Sequence, residues 1–179
     1  MKNESIWGYG ELVFSAPKVL TASISSAGSD LAVVSPDWQL QLQADAAPLY
    51  LTQVASIRVP ISVTEKQVLV GYVQTVGFGI VRTPGVRGVI VADFMGSLHS
   101  LEFGFETPHG APPDDSSPPL KFWHTFSPQG LELASDAGLV GPVPDYQASI
   151  MVTLQKRSLS DHGIISIDSL DVKPAVFPA

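Results

Sequence analysis

The chain contains no cysteine. Disulfides, zinc–thiolate centres, iron–sulfur clusters and cysteine nucleophiles are thereby excluded together. Freedom from cysteine suits a reducing cytoplasm and a bacterial extracellular setting equally, so either compartment is allowed. Basic residues are also scarce. Ten Lys and Arg stand against seventeen Asp and Glu, a formal net charge of −7. The ten are scattered, and a nucleic-acid partner is not expected without a cationic surface. No apolar run approaches the ~18 residues that a membrane-spanning helix needs. The opening Met1-Lys2-Asn3-Glu4-Ser5 has no apolar stretch of the kind a secretory signal carries.

Several chemical signatures are missing too. No Gly-x-Ser-x-Gly elbow, His-Glu-x-x-His helix or Gly-x-x-x-x-Gly-Lys phosphate loop occurs. Gly77-Phe78-Gly79 runs on into Ile80-Val81-Arg82, so the dinucleotide fingerprint fails at its third glycine. The four histidines, His99, His109, His124 and His162, show no His-x-His spacing. Hydrogen-bonded or surface roles are expected for them, with His124 at the edge of the core beside Phe122 and Phe126. No window supports a long amphipathic helix, and one turn within 134–140 is the most that the pattern allows.

What is present is a period of two. Trp38, Leu40 and Leu42 alternate with glutamines, and Ile57, Val59, Ile61 and Val63 alternate with Arg58, Pro60 and Ser62. Leu101, Phe103 and Phe105, and likewise Ile150, Val152 and Leu154, repeat the pattern. Each segment reads as a strand with one face to the core and one to water. Further strands are expected near 6–14, 18–25, 30–35, 48–54, 67–82, 87–95, 120–126, 130–134 and 163–172, rich in β-branched and aromatic residues. Turn residues separate them, as at Ser35-Pro36-Asp37 and Thr83-Pro84-Gly85. With 45% hydrophobic and 15% charged residues over 179 positions, a single domain spanning 1–179 is expected. The architecture expected is all-β: a two-sheet antiparallel β-sandwich, jelly-roll-like, with little or no helix. Pro60 cannot donate to a sheet ladder, so its strand is expected at an edge or bulged there. Long loops are expected at 107–119 and 138–145.

Ala148 to Lys156 followed by Gly163-Ile164-Ile165-Ser166-Ile167-Asp168-Ser169-Leu170-Asp171-Val172 resembles the closing hairpin of galactose-binding-like jelly rolls, the architecture of many carbohydrate-binding modules. The resemblance covers about 25 residues. It implies a non-catalytic module for carbohydrate or another surface ligand. It also implies a structural calcium ion held by Asp168, with Glu11 as the partner near the first strand. Trp7-Gly8-Tyr9-Gly10-Glu11 stands where the family opens with Asn-Gly-x-Phe-Glu. The apolar phase changes at Asp168-Ser169, which predicts a bulge or a change of covering layer.

Read from the residues themselves, three places have chemical potential. Trp123 falls opposite in phase to Leu120, Phe122 and Phe126, beside Lys121, and a displayed tryptophan can stack on a sugar ring. Trp7, Tyr9 and Tyr146 are aromatics near chain ends or loops that could join it. Gly77 and Gly79 leave side chains off one face of their strand, with Arg82 and Arg87 flanking the next turn to grip carboxylates or hydroxyls. Glu102-Phe103-Gly104-Phe105-Glu106 resembles the Glu-x-Asp-x-Glu strand of laminarinase-like glycosidases, with glycine in place of the central aspartate. Positions i and i+4 of a strand lie ~13 Å apart, whereas a retaining pair needs about 5–5.5 Å. A solvated sheet face is the plainer reading. Two other classes stay open: a structural or assembly protein forming oligomers, for which the apolar segment 172–179 would supply contacts, and a glycoside-active enzyme using Glu102 and Glu106.

Overall fold

The computed structural model describes residues 7–9, 12–16, 21–27, 30–63, 67–105, 120–126 and 145–178. Among these residues there is no helix. The strands, in chain order, are β1 (Trp7–Tyr9), β2 (Val13–Ser15), β3 (Ser23–Ala27), β4 (Asp30–Leu42), β5 (Tyr50–Val59) and β6 (Ile61–Val63). They continue as β7 (Gln67–Arg82), β8 (Val86–Phe94), β9 (Ser97–Phe103), β10 (Leu120–Phe126), β11 (Tyr146–Lys156) and β12 (Gly163–Pro178).

Two five-stranded antiparallel sheets form the sandwich. Sheet I has the order β10-β7-β12-β4-β3, and sheet II the order β2-β5-β11-β8-β9. A separate two-stranded ribbon pairs β1 with β6. The alternation read from the sequence sets the faces. From sheet I, Trp38, Leu40, Leu42, Val76, Phe78, Ile80, Ile165 and Ile167 are buried; sheet II answers with Ala55, Ile57, Val59, Ile90, Ile150, Val152 and Leu154. Phe78 and Phe103, one from each sheet, stack at 6.0 Å between ring centroids and 11° between planes. Burying a side chain of this size contributes roughly 1.5–3 kcal/mol, so the interior of the sandwich is the main source of stability.

Pro60 acts differently from either expectation. The ladder of β5 stops at Val59, and Ile61–Val63 leaves to pair with β1. β5 itself is flanked by β2 and β11, so it is not an edge strand. With no N–H to donate, the proline marks where the chain changes sheets. The phase change near Asp168 is a bulge: the register of β12 slips between Ile167 and Ser169 against both β4 and β7. One extra residue restores the inward phase, so Leu170 and Val172 are buried like Ile165 and Ile167. The expected strand at 130–134, the helical turn at 134–140, the 107–119 loop and most of the 138–145 loop lie outside the described residues.

Three connections, 43–49, 83–85 and 157–162, pass from one sheet to the other at the same end of the sandwich. They are stitched together by backbone bonds. The Asp45 amide donates to Leu159 at 2.6 Å, Thr83 to His162 at 3.0 Å and Arg157 to Gly85 at 2.9 Å. Lys156 completes β11 in the core phase and is 2% exposed. Its Nζ donates to the carbonyl oxygens of Gln43 at 2.7 Å, Ala46 at 2.8 Å and Leu159 at 3.0 Å. An ammonium has three protons to give, and all three are used.

Candidate functional site

The opposite end of sheet II carries an open basin of about 450 Å³ on its outer face. Register builds it. Ser15 pairs with Ser56, Ser56 with Ser149 and Ser149 with Asp93, a row of short polar side chains across four strands. The next row joins Val13, Arg58 and Gln147. These are the outward positions of strands whose inward positions are Ile57, Ala148 and Ala92, so core packing fixes the direction in which the polar set points.

The rim is held by specific bonds. Asp145, just before β11, accepts from Arg58 Nε at 2.6 Å, and the same carboxylate oxygen meets the guanidinium again at 2.5 Å. The hydroxyls of Ser56 and Ser149 lie 3.2 Å apart. The β8–β9 turn closes one side. Gly96 N donates to Asp93 Oδ1 at 2.9 Å, the Met95 amide donates to the Gln147 carbonyl at 3.0 Å, and Gln147 N points to Met95 Sδ at 3.0 Å. Met95 and Gly96 both sit at positive φ, 53° and 87°, which is what a two-residue hairpin turn requires. The floor therefore offers hydroxyls, an amide, a guanidinium and carboxylates, with Met95 and Val13 as its apolar edge. Such a set donates and accepts toward a polyhydroxylated ligand.

The residues singled out in the sequence are dispersed by the fold. Tyr146 is fully buried, in phase with Ala148 and Ile150, so its ring is part of the core and not displayed. Arg82 is 8% exposed, and its guanidinium donates to the carbonyls of Thr83 and Val86 at 3.2 and 3.1 Å. Burial lowers its pKa from the ordinary value, and it works as a turn brace at the stitched end. Arg87 lies on the outer face of sheet II, ion-paired with Glu102 at 2.6 Å. Glu102 is thus engaged by a guanidinium, while Glu106 lies outside the described residues. Trp123 and Lys121 sit on β10, the outermost described strand of the other sheet, in register with Gly77 and Gly79. Those glycines face away from the buried Val76 and Phe78, yet are themselves buried, so no open trough exists at these two positions. His124 stands in register with Val76. His99 packs against Phe94 at 5.9 Å and shares a hydrogen bond with Ser97 at 3.1 Å.

Asp168 is half-buried at the bulge, and Glu11 lies outside the described residues. Among the described residues no three His, Asp or Glu side chains gather as ion ligands. No helix among them is long and apolar enough to cross a membrane. The basin itself was missed by sequence reading. Its lining spans residues 13 to 149 and becomes contiguous only through the order of strands in sheet II.

No protein-family model matches the chain, and no curated protein does. Among solved structures it is similar to TmCBM61 in complex with β-1,4-galactotriose, at 14% identity and a TM-score of 0.31, covering 94% of this chain and 88% of that one. It is also similar to the family 11 carbohydrate-binding module from Clostridium thermocellum in complex with a β-1,3-1,4-mixed-linked tetrasaccharide, at 11% identity and TM-score 0.21, covering 95% and 89%. A third is the enzymatically active domain of bacteriophage CBA120 tailspike protein 4, at 12% identity and TM-score 0.29, covering 96% of this chain but 20% of that one. Carbohydrate-binding modules are thus among the solved structures the chain resembles.

Proposed function

We propose that this protein is a non-catalytic module that binds carbohydrate in the basin on the outer face of sheet II. The observation that carries the reading is the convergence of Ser15, Ser56, Ser149, Gln147, Arg58 and Asp145 on one open depression, five of the six carried on strands. Strand-borne groups are held by the sheet, so a ligand has little ordering to impose. Binding is polar in character, because the described lining contains no aromatic ring. The test is calorimetric titration with a panel of neutral oligosaccharides. Binding to the native protein that is lost in Arg58→Ala and weakened in Ser149→Ala, with the fold kept in both and the melting temperature lowered by no more than about 4 °C, supports the reading. Absence of binding across the panel, or full binding by Arg58→Ala, overturns it.

A second reading has its own observation. Val54 and Met151 pair across β5 and β11 on the same outer face and remain 45% and 36% exposed, with Leu98 at 72% near the edge. Apolar side chains on an outward sheet face suit a protein contact, as in a structural or assembly component. A defined oligomer in light scattering, disrupted by Met151→Lys, would favour that reading over the first.

A further inference from the structure

The basin is unevenly charged. Of its charged lining residues, Arg58 carries the positive charge and Asp93 and Asp145 the negative. Both short contacts of Arg58 go to a single oxygen, Oδ2 of Asp145. The pair is close to neutral toward a ligand. Asp93 is different. Its Oδ1 accepts from the Gly96 amide at 2.9 Å, and among the described residues no ion pair engages it. Asp93 pairs in register with Ser149, so this charge lies at the end of the hydroxyl row that forms the floor. Along the remainder of this sheet face, Arg87 and Glu102 neutralise each other. Among the described residues, a ligand lying in the basin thus meets one carboxylate without a cationic partner, in a chain whose overall charge is already −7.

Resting on the carbohydrate reading above, we propose that the basin selects glycans bearing free ammonium groups, with Asp93 as the residue that reads the charge. A sugar ammonium beside Asp93 gains a charge-assisted hydrogen bond while the neighbouring hydroxyls meet Ser56, Ser149 and Gln147. A uronate or sulfate in the same place faces like charge and is rejected, since an unmatched charge in a binding site costs more than it returns. An N-acetylated sugar keeps its shape at the ring but loses the ammonium.

The experiment compares three probes on the full chain: β-1,4-linked glucosamine oligomers, the same oligomers N-acetylated, and oligogalacturonate. The amine form is expected to bind roughly five- to tenfold tighter than the acetylated form, the size of one charge-assisted contact in a half-open site. Oligogalacturonate is expected not to bind. Asp93→Asn is the decisive variant, because an asparagine retains the oxygen that accepts from Gly96 and removes only the charge. It should bring the two glucosamine forms to equal affinity without changing the melting temperature. Equal binding of both forms by the native protein overturns the inference while leaving the carbohydrate reading intact. So does a preference that survives in Asp93→Asn. Binding of none of these probes or of the neutral panel overturns both.

Discussion

Lys156 and Gln43, 113 residues apart in sequence, meet through a 2.7 Å hydrogen bond from the ammonium to the backbone carbonyl. The contact ties the last residue of β11 to the connection that follows β4, and the Ala46 and Leu159 carbonyls complete the cup. A lysine at an inward position is tolerated because each donor proton finds an oxygen.

Replacing Lys156 by methionine keeps most of the side-chain volume but takes the ammonium from the Gln43 and Ala46 carbonyls, while Leu159 keeps its bond from the Asp45 amide. A fully buried acceptor left unmet costs about 1–3 kcal/mol, and these two are part-buried, so water recovers some of that. Loss of roughly 2 kcal/mol in denaturant unfolding is expected, with the slope unchanged. A loss below about 1 kcal/mol would show that the cup is solvated without the ammonium.

Asp161 provides a pH handle at the same end. Its side-chain bond from Ser158, at 2.8 Å, is the main cause holding its pKa below the ordinary carboxylate value, against an opposing effect of burial. The Thr83 hydroxyl, the Ser158 amide and the charge of Lys156 add to the lowering. A carboxyl with a depressed folded pKa contributes stability that is fully present above its unfolded value of about 3.9 and fades as pH falls through the folded one. Melting temperature between pH 5 and pH 2 should therefore fall more steeply in the native protein than in Asp161→Asn. Parallel curves would remove Asp161 from the account.

Gly88 faces the ring of Phe103, and a Cβ at this position would overlap that ring. Gly88→Ala has to displace Phe103 and with it the stack on Phe78. Overpacking of this kind costs about 1–3 kcal/mol, measurable by thermal unfolding. The control Gly96→Ala meets no atom within 4 Å, and only its φ of 87° resists the change. It should cost about 1 kcal/mol, the size of a left-handed backbone penalty.

Trp123 and Arg58 belong to different sheets, so they separate two proposals for where ligand sits. With the basin as the site, Trp123→Ala leaves glycan affinity within about twofold and Arg58→Ala abolishes it. The reverse result in titration would move the site to β10. Arg58→Ala is expected to cost no more than about 1 kcal/mol of stability, because its side chain is 60% exposed and pairs of this kind are screened by water.

The sandwich was legible because its strands alternate. Trp38, Leu40 and Leu42 announce both a strand and its buried face, and the break of phase at Asp168 announces the bulge. Pro60 reads as the mark of an edge strand or a bulge, although its effect is to end one ladder and begin another with a distant partner. Tyr146 follows Pro144 and Asp145 and so reads as an aromatic beside a loop, whereas its phase with Ala148 and Ile150 places it inside. Lys156 was equally readable from its phase with Ile150, Val152 and Leu154, and a charged residue at a core position is a signal of its own. The basin had no such signal. Serines at 15, 56 and 149 are ordinary in isolation, and strand order, which no local pattern encodes, makes them neighbours.

Both sheets have as their central strand one of the last two described strands, β11 in sheet II and β12 in sheet I. A nascent chain synthesised only as far as residue 145 therefore holds β4, β5, β7 and β8 without the strands that join them. Neither sheet can close until β11 and β12 have left the ribosome, so the open strand edges need protection until then.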